Sequence, residues 1–169
     1  GLCHLVRLNT QPSVSILLVP SIDNLMQDLM MYKNILVPTD LADKSELSIQ
    51  TALTMASQNH GSVQLLHVVE KMGGEPDAEV ENFYLKLAKQ ADQKLSDWQR
   101  KFQEEFADVP IDKTILVGKR AQEILRFSQE KAIDLIVMTS RTFNKEERGL
   151  GTLSDQVSLF APISVLVVR

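Results

Sequence analysis

Short apolar runs alternate with amphipathic stretches along most of the chain. The runs are nearly continuous, and such runs are typical of strands that are buried on both faces. Between them, apolar residues recur every three or four positions, which is the spacing of one face of a helix. Strands are predicted at 34–38, 62–69, 113–117, 134–138 and 163–168, with helices around Ile49, Leu95 and Ile124 and over 152–160.

A strand and a helix thus follow each other four times, and a fifth strand ends the chain. This order predicts an α/β fold, a doubly wound five-stranded parallel sheet with helices on both faces. Ligands of such sheets bind beyond the carboxyl ends of the strands, where the strand order reverses. The candidate positions for a functional site are those just after Val37, Val69, Val117 and Met138.

Composition narrows the classes of function. The 169 residues include 18 Lys and Arg and 22 Asp and Glu, a net charge of −4, so we expect no nucleic-acid partner. The single cysteine, Cys3, excludes an internal disulfide and a cysteine-rich zinc site. With no signal peptide visible, a cytoplasmic location is expected. No apolar run is long enough for this segment to insert into a membrane.

Residues 1–30 form a separate pattern, and we interpret them as an extension of a body at 31–169. Gly1 aligns with Gly151 and Pro12 with Pro162 without a gap, and one inserted residue then aligns Ser15 with Ser164. The extension therefore reads as a partial repeat of the last helix and strand, followed by a linker helix at 21–30. Coincidence is the alternative. A glycine rather than a methionine at position 1 suggests a fragment of a longer protein.

The repeat has a consequence for the last predicted strand, which begins at Ile163 and ends at Val168. It is an apolar edge strand, and bare edges pair readily with other strands. The segment that begins at Ser15 and ends at Val19 has the composition to cover this edge, either within the chain or from a neighbouring molecule.

Four segments of the body resemble the universal stress protein domain. They are NILVPTD at 34–40, VQLLHVV at 63–69, DLIVM at 134–138 and GTLSDQV…APISVLVV at 151–168, and they cover nearly the whole body. The resemblance implies a sheet with the strand order 3-2-1-4-5, a homodimer or pseudo-dimer through the last strand and, in one branch, ATP binding.

The loop after the fourth strand departs from that branch, which carries G-x2-G-x9-G-[ST]. Thr139 and Thr142 stand at the first two glycine positions, and eight residues rather than nine separate Thr142 from Gly151. Glycine lets a loop bring its amides against phosphate, whereas β-branched threonine resists positive φ. We therefore expect binding of a triphosphate to be weakened or lost.

The resemblance also implies which residues would line a nucleotide site. Asp40 has a structural alternative, since its carboxylate can accept backbone N–H bonds in a turn, and Thr152 can cap the last helix together with Asp155. The implied nucleotide-binding candidates are Pro38, Thr39, Asp40, Val63, Met138, Thr139, Thr142, Gly151, Thr152, Leu153 and Ser154.

Little in the sequence indicates catalysis. No serine has the context of a nucleophile elbow, no Cys–His pair presents itself, and no two histidines have metal-ligand spacing. His67, inside a predicted strand, is expected to be structural. We therefore predict no catalytic residue and no metal site.

The leading hypothesis is a regulatory stress-response domain with a degenerate nucleotide site, acting through partner contacts rather than catalysis. Its cofactor would be ATP or another adenine nucleotide, held weakly. One alternative is a true ATP-binding member, with slow hydrolysis. The other is a cytoplasmic accessory domain of a tandem protein or a membrane transporter.

Overall fold

The computed structural model describes residues 32–74, 76–140 and 152–169 in full, together with the backbone of two short strands before them. The strands are β1 His4–Val6, β2 Val14–Val19, β3 Asn34–Pro38, β4 Ser62–Glu70, β5 Ile111–Gly118, β6 Leu135–Thr139 and β7 Ser164–Val168. The helices are α1 Ser45–Gln58, α2 Ala78–Glu105, α3 Arg120–Glu130 and α4 Leu153–Phe160.

Five strands form the predicted parallel sheet. They lie side by side in the order β5-β4-β3-β6-β7, and each neighbouring pair is parallel. Numbered from β3, this is the order 3-2-1-4-5, so the predicted fold class is confirmed. β2 and β1 continue the same sheet beyond β7 as antiparallel strands.

Helices cover both faces of the parallel strands, which explains why the strands are apolar at nearly every position. Ile35, Val37 and Leu65 face α1 and α2, where they join a buried cluster that includes Trp98. Alternate residues of the same strands, such as Leu36 and Leu66, face α3 and α4. The edge strand β5 is less fully covered than the other four.

The strand β5 is longer than its apolar run predicted, since it begins at Ile111 rather than Lys113. Ile111 is buried and pairs with Val63, so the ladder to β4 extends over two residues that the pattern had left outside.

The N-terminal extension contains both an agreement and a correction. The segment from Ser15 to Val19 lies in β2, which pairs with β7 within the chain. The repeat interpretation matches His4–Val6 to part of the last helix, but these three residues form β1, because they pair with the outer edge of β2. The linker helix at 21–30 lies outside the described residues, and the boundary near residue 31 stays a prediction.

Candidate functional site

The strand order reverses between β3 and β6. The chain passes from β3 to β4 on one side, whereas β6 lies on the other side of β3, parallel to it. The carboxyl ends of these two strands therefore lie side by side at the topological switch point, where sheets of this kind bind ligands. We call this edge of the sheet the cleft. Pro38 and Thr139 end the two strands, and Asp40 and Ser140 follow them.

Thr39 fixes the turn that follows β3. Its amide donates to the carbonyl of Leu66 at 2.9 Å, and its hydroxyl accepts from the amide of Leu41 at 2.9 Å. Leu41 has φ of 68°, a conformation that is uncommon for a residue with a bulky side chain. Strain of this kind persists only where the surroundings hold it, and it is concentrated at functional sites.

Asp40 is exposed at the edge of the cleft. Its Oδ1 accepts hydrogen bonds from the amide of Ala42 at 3.0 Å and from the hydroxyl of Ser45 at 3.1 Å. These bonds lead the chain into α1, as the turn interpretation of Asp40 predicts. Oδ1 accepts both hydrogen bonds, so Asp40 can hold the turn while Oδ2 accepts a hydrogen bond from a ligand.

His67 supports the same turn from β4. Its Nδ1 lies 2.8 Å from the carbonyl oxygen of Thr39, and because a carbonyl only accepts, Nδ1 carries the proton. Burial of the ring lowers the pKa of His67 below its ordinary value of 6.5, and the charge of Arg120 lowers it further. The neutral ring is therefore the form that holds the turn, which agrees with the structural role predicted for His67.

On the other side of the cleft, β6 ends without a glycine. Met138 is buried, and Thr139 continues the strand opposite Val168. Within the described ranges, the residues other than glycine with positive φ are Leu41, His60 and Ala132, so Thr139 does not take the path that a glycine would allow. Thr142 and Gly151 lie outside the described residues.

Lys44 bridges the two sides of the cleft. It stands at the start of α1, and its Nζ donates to the carbonyl of Ser140 at 3.0 Å. Sequence reasoning missed this residue. The sequence does show a lysine four positions after Asp40. Only the pairing of β3 with β6 shows that the lysine side chain reaches the end of β6.

The first turn of α4 belongs to the same edge of the sheet, because the helix runs antiparallel to the strands. Thr152 caps it, and the Asp155 carboxylate accepts from the amide of Thr152 at 3.0 Å. The capping alternative for Thr152 is therefore correct. Leu153 packs against the core and Ser154 is buried. The Asp155 charge opposes the attraction of this helix end for an anion.

Val63 is not near these residues, which corrects its place among the candidates. It is fully buried under α1 and α2, and it pairs with Ile35 near the amino end of β4. Pro38 lies opposite Leu66, so the residues of β4 nearest the cleft are those from His67 onward. The sequence match assigned Val63 to the site without regard to its position at the amino end of β4.

A model of the universal stress protein family matches residues 31–169. The chain belongs to the universal stress protein family. The universal stress protein MJ0531 of Methanocaldococcus jannaschii is 32% identical over 142 residues, which is 82% of this chain and 83% of that protein.

Solved structures of the family share the fold. The universal stress protein UspA of Lactobacillus plantarum superposes with a TM-score of 0.67 at 24% identity, covering 82% of this chain and 99% of that chain. A universal stress protein of Archaeoglobus fulgidus in complex with dAMP superposes with a TM-score of 0.60 at 20% identity, with coverages of 82% and 99%.

Within the described residues, the cleft of this universal stress protein domain has few side chains that could react with a bound molecule. Between β3 and α1 there are two carboxylates, Asp40, which accepts from Ala42, and Asp43, which forms an ion pair with Lys94. The protonated nitrogen of His67 is held by Thr39. No group of three side chains that could hold a metal ion is found in the described ranges. Of the helices described there, none is long and apolar enough to cross a membrane.

Proposed function

We propose that this domain is a regulatory universal stress protein domain that binds an adenine nucleotide weakly in the cleft between β3 and β6. The observation that carries the proposal is that the strained turn at Leu41, the Asp40 carboxylate and the bond from Lys44 to Ser140 all lie at the carboxyl ends of β3 and β6. The candidates that we retain for the site are Pro38, Thr39, Asp40, Met138, Thr139, Thr142, Gly151, Thr152, Leu153 and Ser154.

The preferred ligand is a nucleoside monophosphate rather than a triphosphate. The relative from Archaeoglobus fulgidus holds dAMP. In this chain, Thr139 remains in the strand where a phosphate-binding loop would need glycine, and Asp155 places a negative charge on the first turn of α4. Among the described residues, Lys44 is a cation that can pair with a phosphate at this edge.

The domain acts, in this proposal, by changing its contacts with a partner in the cytoplasm rather than by catalysis. The cleft residues support binding, since Thr39 and His67 use their polar atoms to fix the turn. The one hydroxyl that the described residues place on the Asp40 carboxylate is that of Ser45, which is buried and supports the turn.

Titration calorimetry with adenosine, AMP, ADP and ATP, each with and without magnesium, tests the proposed function. We expect AMP to bind, ATP to bind no more tightly than AMP, and magnesium to change neither affinity. Binding of magnesium-ATP tenfold tighter than AMP would instead favour a true ATP-binding member. If no adenine compound binds at millimolar concentration, the proposed nucleotide site is wrong.

For its assembly, we infer that the domain pairs through β7, the strand predicted from Ile163 to Val168, as a dimer or a pseudo-dimer. The support is the pairing of β2 with the outer edge of β7.

A further inference from the structure

A groove lies at the amino ends of β3, β4 and β5, which is the end of the sheet opposite the cleft. Its volume is about 430 Å³, and pockets for small molecules typically have roughly 300–1,000 Å³. The residues before β3, the end of α1 and the turn between α2 and β5 form its walls, and the buried residues Ala56 and Val109 also line it. The groove is therefore separate from the proposed nucleotide site.

Hydrogen bonds of the backbone hold these walls in place. The Ser62 amide donates to the carbonyl of Lys33 at 2.6 Å, which joins the start of β4 to the residue before β3. On the other side, the carbonyl of Val109 accepts from Nε2 of Gln103 at 3.1 Å. A ligand would therefore meet a groove that is already formed, and little ordering of the chain would oppose its binding.

Two exposed side chains of opposite charge line the groove, Lys33 and Asp108. Within the described part of the chain, no hydrogen bond or ion pair engages the Lys33 ammonium or the Asp108 carboxylate. Lys33 precedes β3 and Asp108 precedes β5, with β4 between these strands. Two strand spacings, about 10 Å, therefore separate the two backbones. Each side of the groove thus supplies one charge that is available to a ligand.

The end of α1 adds a second feature to the same wall. His60 has φ of 52°, and the amide of Gly61 donates to the carbonyl of Ala56 at 2.8 Å. This is the Schellman ending of a helix, in which glycine is the usual residue at the position that His60 occupies. Strain of this kind is concentrated at functional sites, and here it places an imidazole in the wall of the groove.

The last turn of α1 favours a cation at this place. Ser57 of that turn lines the groove, and the turn contains no basic residue. The partial negative charge at the carboxyl end of the helix is therefore not offset within the turn, and it attracts an ammonium group. The groove thus has groups for both signs of charge rather than for one.

We propose that this groove binds a small zwitterion of dipeptide size, with its carboxylate at Lys33 and its ammonium at Asp108. A ligand with a single charge would leave one of the two side chains without a partner. A dipeptide separates its terminal charges by about 3.8 Å more than a single amino acid does, so it reaches both sides of the groove better. This inference is independent of the nucleotide proposed for the cleft.

The first experiment titrates glycyl-leucine into the ¹⁵N-labelled protein and follows the amide signals of Gly61 and Ser62 by NMR. The matched ligands are N-acetylglycyl-leucine, which lacks the ammonium, and glycyl-leucine amide, which lacks the carboxylate. We expect saturable shifts with glycyl-leucine and binding about tenfold weaker for each matched ligand, the order of one hydrogen bond to a charged group. No saturable shift at millimolar concentration, or equal affinities for the three compounds, would overturn the proposal.

The second experiment assigns each charge of the ligand to its residue. We expect Lys33→Gln to weaken binding of glycyl-leucine about tenfold and to leave glycyl-leucine amide unchanged, because the amide has no carboxylate to lose. Asp108→Asn should weaken glycyl-leucine and leave N-acetylglycyl-leucine unchanged. Lys131→Gln is the control and should leave all three affinities at the parent's values. If Lys33→Gln weakened glycyl-leucine and its amide equally, the proposed pairing with the carboxylate would be wrong.

Discussion

At the scale of single residues, the cleft depends on side chains whose polar atoms meet across two strands. Lys44 is the cation that joins the turn after β3 to the end of β6, through its bond to the Ser140 carbonyl. A phosphate would be a stronger acceptor for Nζ than that carbonyl, because both partners would then be charged. Lys44 is therefore the residue whose loss separates recognition of the phosphate from recognition of the nucleoside.

We predict that Lys44→Gln weakens AMP binding about tenfold, which is the order of one hydrogen bond to a charged group. Adenosine binding should be unchanged, because it has no phosphate. Calorimetry of both ligands on the variant measures the difference. Lys131→Gln is the matched control, since Lys131 is an exposed lysine just after α3, at the other end of the sheet. Equal losses for AMP and adenosine would assign Lys44 a structural role instead.

His67 gives the second prediction at this scale, the pH dependence of folding. Its pKa is lowered in the folded state, chiefly by burial, so below pH 6.5 the unfolded chain takes up a proton more readily than the folded one. The free energy of unfolding should therefore fall as the pH falls below 6.5, and level off once the folded ring is also protonated.

The variant His67→Asn tests this assignment. Its amide nitrogen can take the place of Nδ1 and donate to the Thr39 carbonyl without titrating. Urea unfolding from pH 7.5 to 5 should show a shallower slope for the variant than for the parent. Identical slopes would mean that another group causes the change in stability over this range.

The residue types at the site were more predictable than the positions. That threonine at 139 would not behave as glycine follows from the preference of β-branched residues for extended φ, and the structure agrees. Val63 was wrong because it was taken from the motif match alone, although it stands at the amino end of β4 and the site is expected at the carboxyl ends of the strands. Lys44 was missed because its contact joins residues 96 positions apart in the sequence.

At the scale of whole elements, the sequence predicted most of the strands and helices, because continuous apolar runs and three-to-four spacing are distinct patterns. The N-terminal segment was harder, since His4–Val6 has no strong periodicity and takes its structure from the edge of β2. The sequence Asn59-His60-Gly61 at the junction of α1 and β4 is typical of the end of a helix. How closely the backbone approaches Lys33 at this junction depends on packing, which the hydrophobic pattern does not show.

That junction supports a prediction on Gly61. A Cβ atom there would lie 2.3 Å from the backbone carbonyl oxygen of Lys33, so the chain would have to move. Gly61→Ala should lower the free energy of unfolding by about 1–3 kcal/mol. Gly73→Ala is the matched control, since a Cβ at Gly73 meets nothing within 4 Å, and thermal or urea unfolding compares the two. Equal stability of the two variants would refute the close approach.

At the scale of the whole molecule, the two ends of the sheet have separate roles. At the amino end, the Asp134 carboxylate accepts from the amides of Lys33 at 2.9 Å and Asn34 at 3.1 Å, and so ties β6 to the start of β3. Burial raises the pKa of Asp134, because it disfavours the charged carboxylate. The hydrogen bonds from the two amides stabilise the charge and partly offset this effect. The cleft lies at the other end of the same two strands.

We predict that Asp134→Ala lowers the free energy of unfolding by about 1–2 kcal/mol, because the two amides lose their acceptor. Adenine nucleotide affinity, measured by calorimetry well below the unfolding temperature, should stay at the parent's value. Lys44→Gln should show the converse, a loss of AMP affinity with little change in stability. If Asp134→Ala weakened AMP binding as much as Lys44→Gln does, the ends would be coupled, and the spacing of β3 and β6 rather than the residues of the cleft would control binding.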